Sequence, residues 1–402
     1  MNRNSMKTDI LIIGGGIIGC SCAYYLAKAG KKVILVERRN IASGASGRNG
    51  GQVMQTFGRE VDPKGIINRL TYTSEGNRML KGLSKELNMD LEYEMCGSLD
   101  LSHTKEEAEE LEELVNIHHQ AGDTEIEWLT KDETKEFCPS LAQNIQGARF
   151  RRTDGIINPF LLNYGFAEGA KRYGAQIFTC TEAEEILIEN KQVKGVKTSR
   201  GLFRAPIVIN ATNAWASFLT KEINIFPLRM VAVVSEKVPK IKGPGPMEAE
   251  VNGEALFTTT QTHSGNILVG GLGTEARDRS GQYDLGVHLA EIQRCTSIIP
   301  RFLPSLAHIN IIRAWAGTMA VSRDGLPCIG PVPNAEGLIL AAGFSDAMSL
   351  ACIVGRLVAE YITHSCTSLP LDIFDPGRFY KKKISWPEIY NYTEMEKFLG
   401  RI

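Results

Sequence analysis

The chain lacks a surplus of charge of either sign: 45 Lys and Arg stand against 46 Asp and Glu, a net charge of -1. Binding nucleic-acid phosphates calls for an excess of Lys and Arg, so nucleic acid is excluded as the main partner, and no basic or acidic tail reverses that. It also lacks any paired CxxC framework. The nine cysteines, Cys20, Cys22, Cys96, Cys138, Cys180, Cys295, Cys328, Cys352 and Cys366, are scattered, so no metal or iron–sulfur site is expected. Reduced thiols used as small core residues suit a cytoplasmic protein. Nowhere do about eighteen uncharged apolar residues follow one another, which leaves no candidate membrane span. Internal repeats and low-complexity segments are missing too, while 402 residues exceed one comfortable core and imply two domains.

What is present begins at residue 9. DILIIGGGIIG is an apolar strand that runs into Gly14-x-Gly16-x-x-Gly19, and Glu37 ends the next apolar run, KKVILVE. Strand, glycines, helix and acid in that order are what a bound dinucleotide needs. Gly14 permits the tight turn, Gly16 has no Cβ to block a pyrophosphate, and Gly19 lets helix and strand pack closely. The helix N-terminus, with Ile17 and Ile18 in its first turn, offers unpaired N–H groups to the phosphates. Glu37 is placed to accept the hydroxyls of an adenosine ribose. The same glycines and second strand argue against reading the apolar stretch as a signal peptide.

Farther along, residues 68–88 and 104–120 have helical patterns. The second, KEEAEELEELVNIHHQ, is so charged that a solvated face is expected, with His103, His118 and His119 as surface residues rather than ligands. A helix over 160–174 precedes strands with turns at Asn190 and Gly201. Residues 226–315 alternate short strands and turns, with a helix near 286–299, and read as a mixed, mainly antiparallel sheet covering a substrate. The strand LILAAG and an apolar helix from about Asp346 to Tyr361, with Asp346 as N-cap, follow. The expected organisation is α/β: a discontinuous dinucleotide domain (1–88, 145–225, 316–370), a second domain (89–144, 226–315) and a C-terminal tail (371–402).

Four blocks together, DILIIGGGIIG with Glu37, GASGRNGGQ (44–52), IVINATNAWA (207–216) and WAGTMAVSRDGLPCIGP with AAGFSDAMSLACIVGRLVAE, resemble the FAD-dependent D-amino acid oxidase and glycine oxidase superfamily. The resemblance is nearest to sarcosine oxidase β-subunits, opine oxidase, (hydroxy)proline dehydrogenase subunits and hydrogen cyanide synthase subunits. It implies a Rossmann-type FAD-binding domain of the glutathione reductase kind beside a substrate domain. It also implies, by position, that Glu37, Arg38 and Arg39 meet the adenosine ribose and that Ser43, Ala45 and Ser46 reach the pyrophosphate. Arg48, Asn49, Gly50, Gly51 and Gln52 would pass the isoalloxazine, and Ala183 would pair with adenine. Ala211 and Thr212, with Trp215 beyond, would approach the phosphates. Gly317, Gly343, Phe344, Ser345, Asp346, Ala347 and Met348 would surround the flavin pyrimidine, where a helix N-terminus would stabilise the charge of reduced flavin.

Three departures from the family pattern bear on substrate. Met319 replaces the arginine that holds a substrate carboxylate, which counts against a simple D-amino acid oxidase. Gly317 replaces the cysteine that tethers flavin in monomeric sarcosine oxidases, so non-covalent FAD is expected. Asn213 replaces a loop glycine, and Asn tolerates the left-handed conformation better than most residues. The implied reaction is oxidation of a CH–NH bond in an amine or amino acid derivative, with Phe344, Met319 and Arg48 as pocket or positioning residues and Arg48, Arg229, Arg313 and Arg323 as candidates for a carboxylate. Trp315 could wall the pocket, and His263 belongs to a turn. Two alternatives stay open: a 2-hydroxyacid or glycerol-phosphate dehydrogenase, and an electron-relay subunit. Resemblance to multi-subunit dehydrogenases implies an electron-accepting partner.

Overall fold

The strand Ile10–Ile13 is apolar at every position because it lies at the centre of a sheet covered on both faces. The structure, a computed structural model, describes residues 6–56, 59–221, 223, 225–243, 245–251, 254–272, 286–322 and 324–381. Six strands form this sheet in the order Cys328–Pro331, Leu338–Ala342, Ile207–Asn210, Ile10–Ile13, Val33–Val36 and Gln176–Phe178, parallel except for the first pair. Side chains alternate between two cores. Ile10 and Ile12 face the helices Ile17–Lys28, Pro159–Arg172 and Ala351–His364. Leu11 and Ile13 face Val196 and Phe203 of a four-stranded layer on the other side. The first helix is so enclosed that Cys20 and Cys22, pointing to different faces, are both fully buried. A Cβ at Gly19 would stand 2.0 Å from the Gly14 carbonyl oxygen, so only glycine allows this approach.

The second sheet has eight strands in the order Ile311–Val321, Phe226–Lys237, Asn266–Leu272, Glu254–Gln261, Met247–Val251, Ser98–Ser102, Gly147–Arg151 and Ile126–Thr130, antiparallel but for one pair. Its outer face is covered by the helix Leu289–Phe302. Two boundaries shift accordingly. Gly147–Arg151 belongs to this sheet rather than to the dinucleotide domain, and Ile311–Val321 runs through residue 316 without a break.

Other expectations move as well. The helix expected from residue 68 begins at Pro63, where Asp62 accepts the Gly65 N–H at 2.9 Å and proline opens the first turn. The helix expected from Asp346 begins only at Ala351, and Asp346 is not its N-cap. His118 is fully buried, its Nδ1 2.8 Å from an Asp123 carboxylate that also takes Arg151. The helix Lys105–Gln120 is amphipathic, and its last apolar-face position happens to be a histidine. All nine cysteines are unpaired, six of them buried. Among the described residues no helix is long and apolar enough to cross a membrane. Of the tail from 371, residues 382–402 lie outside the described part.

Candidate active site

Parallel strands leave a crevice beyond their carboxyl ends, and here the inner face of the eight-stranded sheet roofs it. The result is one cavity of about 650 Å³ that runs from Glu37 to Asp346. At one end Gly14 has φ +109°, and a Cβ there would meet the Ala211 carbonyl oxygen at 2.7 Å. A Cβ on Gly16 would enter the cavity beside Ser46 Oγ. Glu37 holds this end together: its two oxygens accept the N–H groups of Gly15 and Arg39, each at 2.8 Å. Lone pairs remain on both oxygens for ribose hydroxyls. Arg38 lies over the Trp215 ring at 4.7 Å, and Ala183 stands between Glu182 and Glu184 on the wall. A bare glycine cradle, a helix N-terminus and an acid after the second strand fit the adenosine half of a dinucleotide.

The loop 42–52 forms the middle of the site. Ser46 Oγ accepts the Ile17 N–H at 2.9 Å, and Asn49 ties the loop to itself through Ala45 O, Ser46 O and Gly51 N–H. Arg48 is turned to protein carbonyls, donating to Ala316 O at 2.7 Å and Ser43 O at 3.3 Å. Burial, with Arg39 and Arg313 nearby, lowers its pKa. Trp315 Nε1 donates to Arg48 O at 2.9 Å, and Gln52 Nε2 donates to Thr260 Oγ1. Ser43 faces a second cavity of about 600 Å³ on the other side of this loop.

The far end is built by five segments. Met54, Thr258, Gly270 and the run Gly317-Thr318-Met319 meet Phe344, Ser345, Asp346, Ala347 and Met348 around it. Sequence reasoning missed the residue that shapes this end. Asn213, at φ +51°, accepts the N–H groups of Gly343 and Phe344 at 2.9 Å each through Oδ1, while its Nδ2 donates to Phe344 O. The left-handed tolerance was legible in the sequence; the clamp 130 residues away was not.

The expected site residues thus come together except at a few points. Ile17, Ile18, Ala45, Gly50, Ala211 and Thr212 line the cavity, whereas Gly19, Gly51 and Gly343 support it from behind. Of the four arginine candidates, Arg229 is buried against Glu291 on the opposite face of the sheet, and Arg313 lies 5.6 Å from the Trp315 ring beside the second cavity. Arg323 lies outside the described residues. His263, in the turn after Gln261, also lines the second cavity.

Comparison with known proteins places this geometry. The chain is 28% identical over 411 residues to hydrogen cyanide synthase subunit HcnC of Pseudomonas protegens, covering 91% of this chain and 94% of that protein. It is 28% identical to glycine oxidase of Bacillus licheniformis over 359 residues, 89% of this chain and 93% of the other. The crystal structure of L-proline dehydrogenase from P. horikoshii superimposes with a TM-score of 0.83 at 32% identity, covering 94% of this chain and 99% of that one. A family model described as FAD dependent oxidoreductase matches residues 9–361. With that match spanning both sheets and the whole cavity, the chain belongs to the DAO family of FAD-dependent oxidoreductases.

Proposed function

We propose that the chain oxidises a CH–NH bond of an amino acid derivative or secondary amine, of the sarcosine, proline, hydroxyproline or opine type, to an imine. FAD, bound along the cavity, supplies the hydride acceptor at flavin N5. Gly14, Gly16, Ile17, Ile18, Glu37, Arg38 and Ala183 would hold its adenosine half, Ala45, Ser46, Ala211 and Thr212, with Trp215 beyond, its pyrophosphate, and residues 48–52 with Gly317 and 344–348 its ring system, without a covalent tether. The chain's own work is to place the α-carbon, exclude water and keep the amine neutral when the bond breaks. Phe344 and Met319 form apolar walls for that carbon, and Arg48 fixes the loop that passes the flavin.

The observation that carries the choice of amine over alcohol is the placement of the histidines. All seven lie among the described residues, and none lines the main cavity. A 2-hydroxyacid or glycerol-phosphate dehydrogenase on this fold would use a histidine near N5, where Phe344 follows Gly343 here, whereas a neutral amine carries its own lone pair. An electron-accepting partner is supported by the relatives that are subunits of larger assemblies, and nine unpaired thiols support a reducing cytoplasm. The test is anaerobic bleaching of the bound flavin by amino acids of both hands, N-methyl amino acids, cyclic imino acids and 2-hydroxyacids. Bleaching by a secondary amine is expected; bleaching by 2-hydroxyacids alone, or by nothing, overturns the reading. Admitting air then separates the acceptors: slow reoxidation supports a protein partner, and rapid reoxidation with peroxide release argues for oxygen.

A further inference from the structure

The far end of the cavity contains one carboxyl group, and the helix that was expected to use it as a cap starts five residues later. Asp346 sits in the irregular segment between Ala342 and Ala351, on the cavity wall opposite the strand Ile311–Val321. The other titratable residues on the cavity lining, Glu37, Arg38, Arg39, Arg48, Glu182 and Glu184, belong to its adenosine end and middle. The Met348 N–H reaches Asp346 Oδ1 at 3.3 Å, a weak tie that leaves most of the acceptor capacity unused.

We infer that Asp346 is the anionic partner of the substrate ammonium group and the acceptor of its proton. This rests on the amine-oxidising reading above. In the step assigned to it, an N–H bond of the substrate ammonium breaks and an O–H bond forms on the Asp346 carboxylate; no electrons leave either molecule. The nitrogen is left with the lone pair that imine formation needs. The same placement accounts for Met319: the pocket engages the cationic end of its substrate near the flavin instead of clamping a carboxylate there.

The surroundings allow the group to work near neutral pH. Burial raises its pKa to about 6, against the pull of Arg69 and of the Met348 N–H, and Asp154 adds to the rise. Arg69 comes from the helix Pro63–Leu87 and Asp154 from the turn after Gly147–Arg151. Above about pH 6 the carboxylate is ionised and can hold a cation; below it the group is neutral and the attraction is lost.

Two isosteric probes that cannot be oxidised at a CH–NH bond test this, glycine betaine and 3,3-dimethylbutyrate, which differ in the charge of one central atom. Binding to the FAD-loaded enzyme is followed by perturbation of the flavin absorption spectrum between pH 5 and 8.5. The expected result is about tenfold tighter binding of betaine at pH 8, a preference absent at pH 5 and absent at pH 8 in Asp346→Asn. Equal binding of the two probes by the native enzyme at pH 8, binding of neither, or a preference retained in Asp346→Asn overturns it. Should Asp346→Asn fail to retain FAD, the pH dependence of the native enzyme decides alone. A betaine preference set by Asp346 with no amine substrate in the bleaching screen would retain the cation site and reject amine oxidation. An amine substrate without the preference would do the reverse.

Discussion

The two ends of the cavity are built on different plans. The cradle at the adenosine end comes from one stretch, residues 10–37, where the glycine turn, the helix N-terminus and Glu37 follow one another in a single βαβ unit, and Ala183 and Trp215 only add to its wall. The far end is gathered from residues 54, 258, 270, 317–319 and 344–348, contributed by both sheets. A cradle made of backbone N–H groups needs only small residues at fixed spacing, so it can be local. A substrate pocket needs several side chains converging from different directions, and only a tertiary fold supplies that.

The sharpest way to break the comparison is at the cradle. Gly16→Val places a branched side chain in the space beside Ser46 Oγ, so a folded but colourless protein is expected, with FAD affinity reduced by about 100-fold or more. Yellow, fully loaded protein from this variant would show that the cofactor does not lie on the glycine turn.

A smaller effect is expected at the far end, where loss is spread over many contacts. Asn213→Ala leaves the Gly343 and Phe344 N–H groups without their acceptor and puts alanine at φ +51°. The loss should be on the order of 1–3 kcal/mol, read as weaker FAD binding by titration of the apoprotein and a lower melting temperature. Unchanged values for both would deny the clamp its role.

The smallest effect concerns the charged row beyond the pocket. Trp315, Ala232, Gly270, Thr258, Glu248, Asp100, Arg149 and Trp128 are direct cross-strand neighbours across all eight strands. The first four line the cavity, and the row then passes into a buried cluster of charges. Burial and the neighbouring Asp100 push Glu248 to about 8 from its ordinary 4.5. A raised carboxyl pKa means that the folded state holds the proton more tightly, so stability falls as pH rises from about 4.5 to about 8. Glu248→Gln removes that slope. Its melting temperature should exceed that of the native enzyme at pH 8, by roughly 1–2 kcal/mol of stability, and the difference should vanish below pH 4.5. A parallel pH dependence in both proteins would place the titration elsewhere.

Much of the fold was legible for a physical reason. The parallel strands are buried on both faces and read as unbroken apolar runs, and Gly14, Gly16 and Glu37 have spacings that chemistry leaves little freedom to vary. The errors have equally physical sources. His118 looked exposed because its helix is highly charged, but a helix has two faces, and Asp123 and Arg151 wait on the buried one. Arg229 was a candidate because it stands near the cofactor-side blocks of the sequence, yet strand alternation turns it to the other side of the sheet from the cavity-lining Met230.

By itself the sequence determined what is periodic and local: the doubly covered parallel strands, the dinucleotide turn and the acid after the second strand. Tertiary structure alone decided which side chains share the far end of the cavity. Asn213 reaches Gly343 across 130 residues, and Asp346 faces the cavity because the segment before Ala351 stays irregular. Contacts between distant segments depend on how sheets and helices pack, and no local pattern of residues encodes that arrangement.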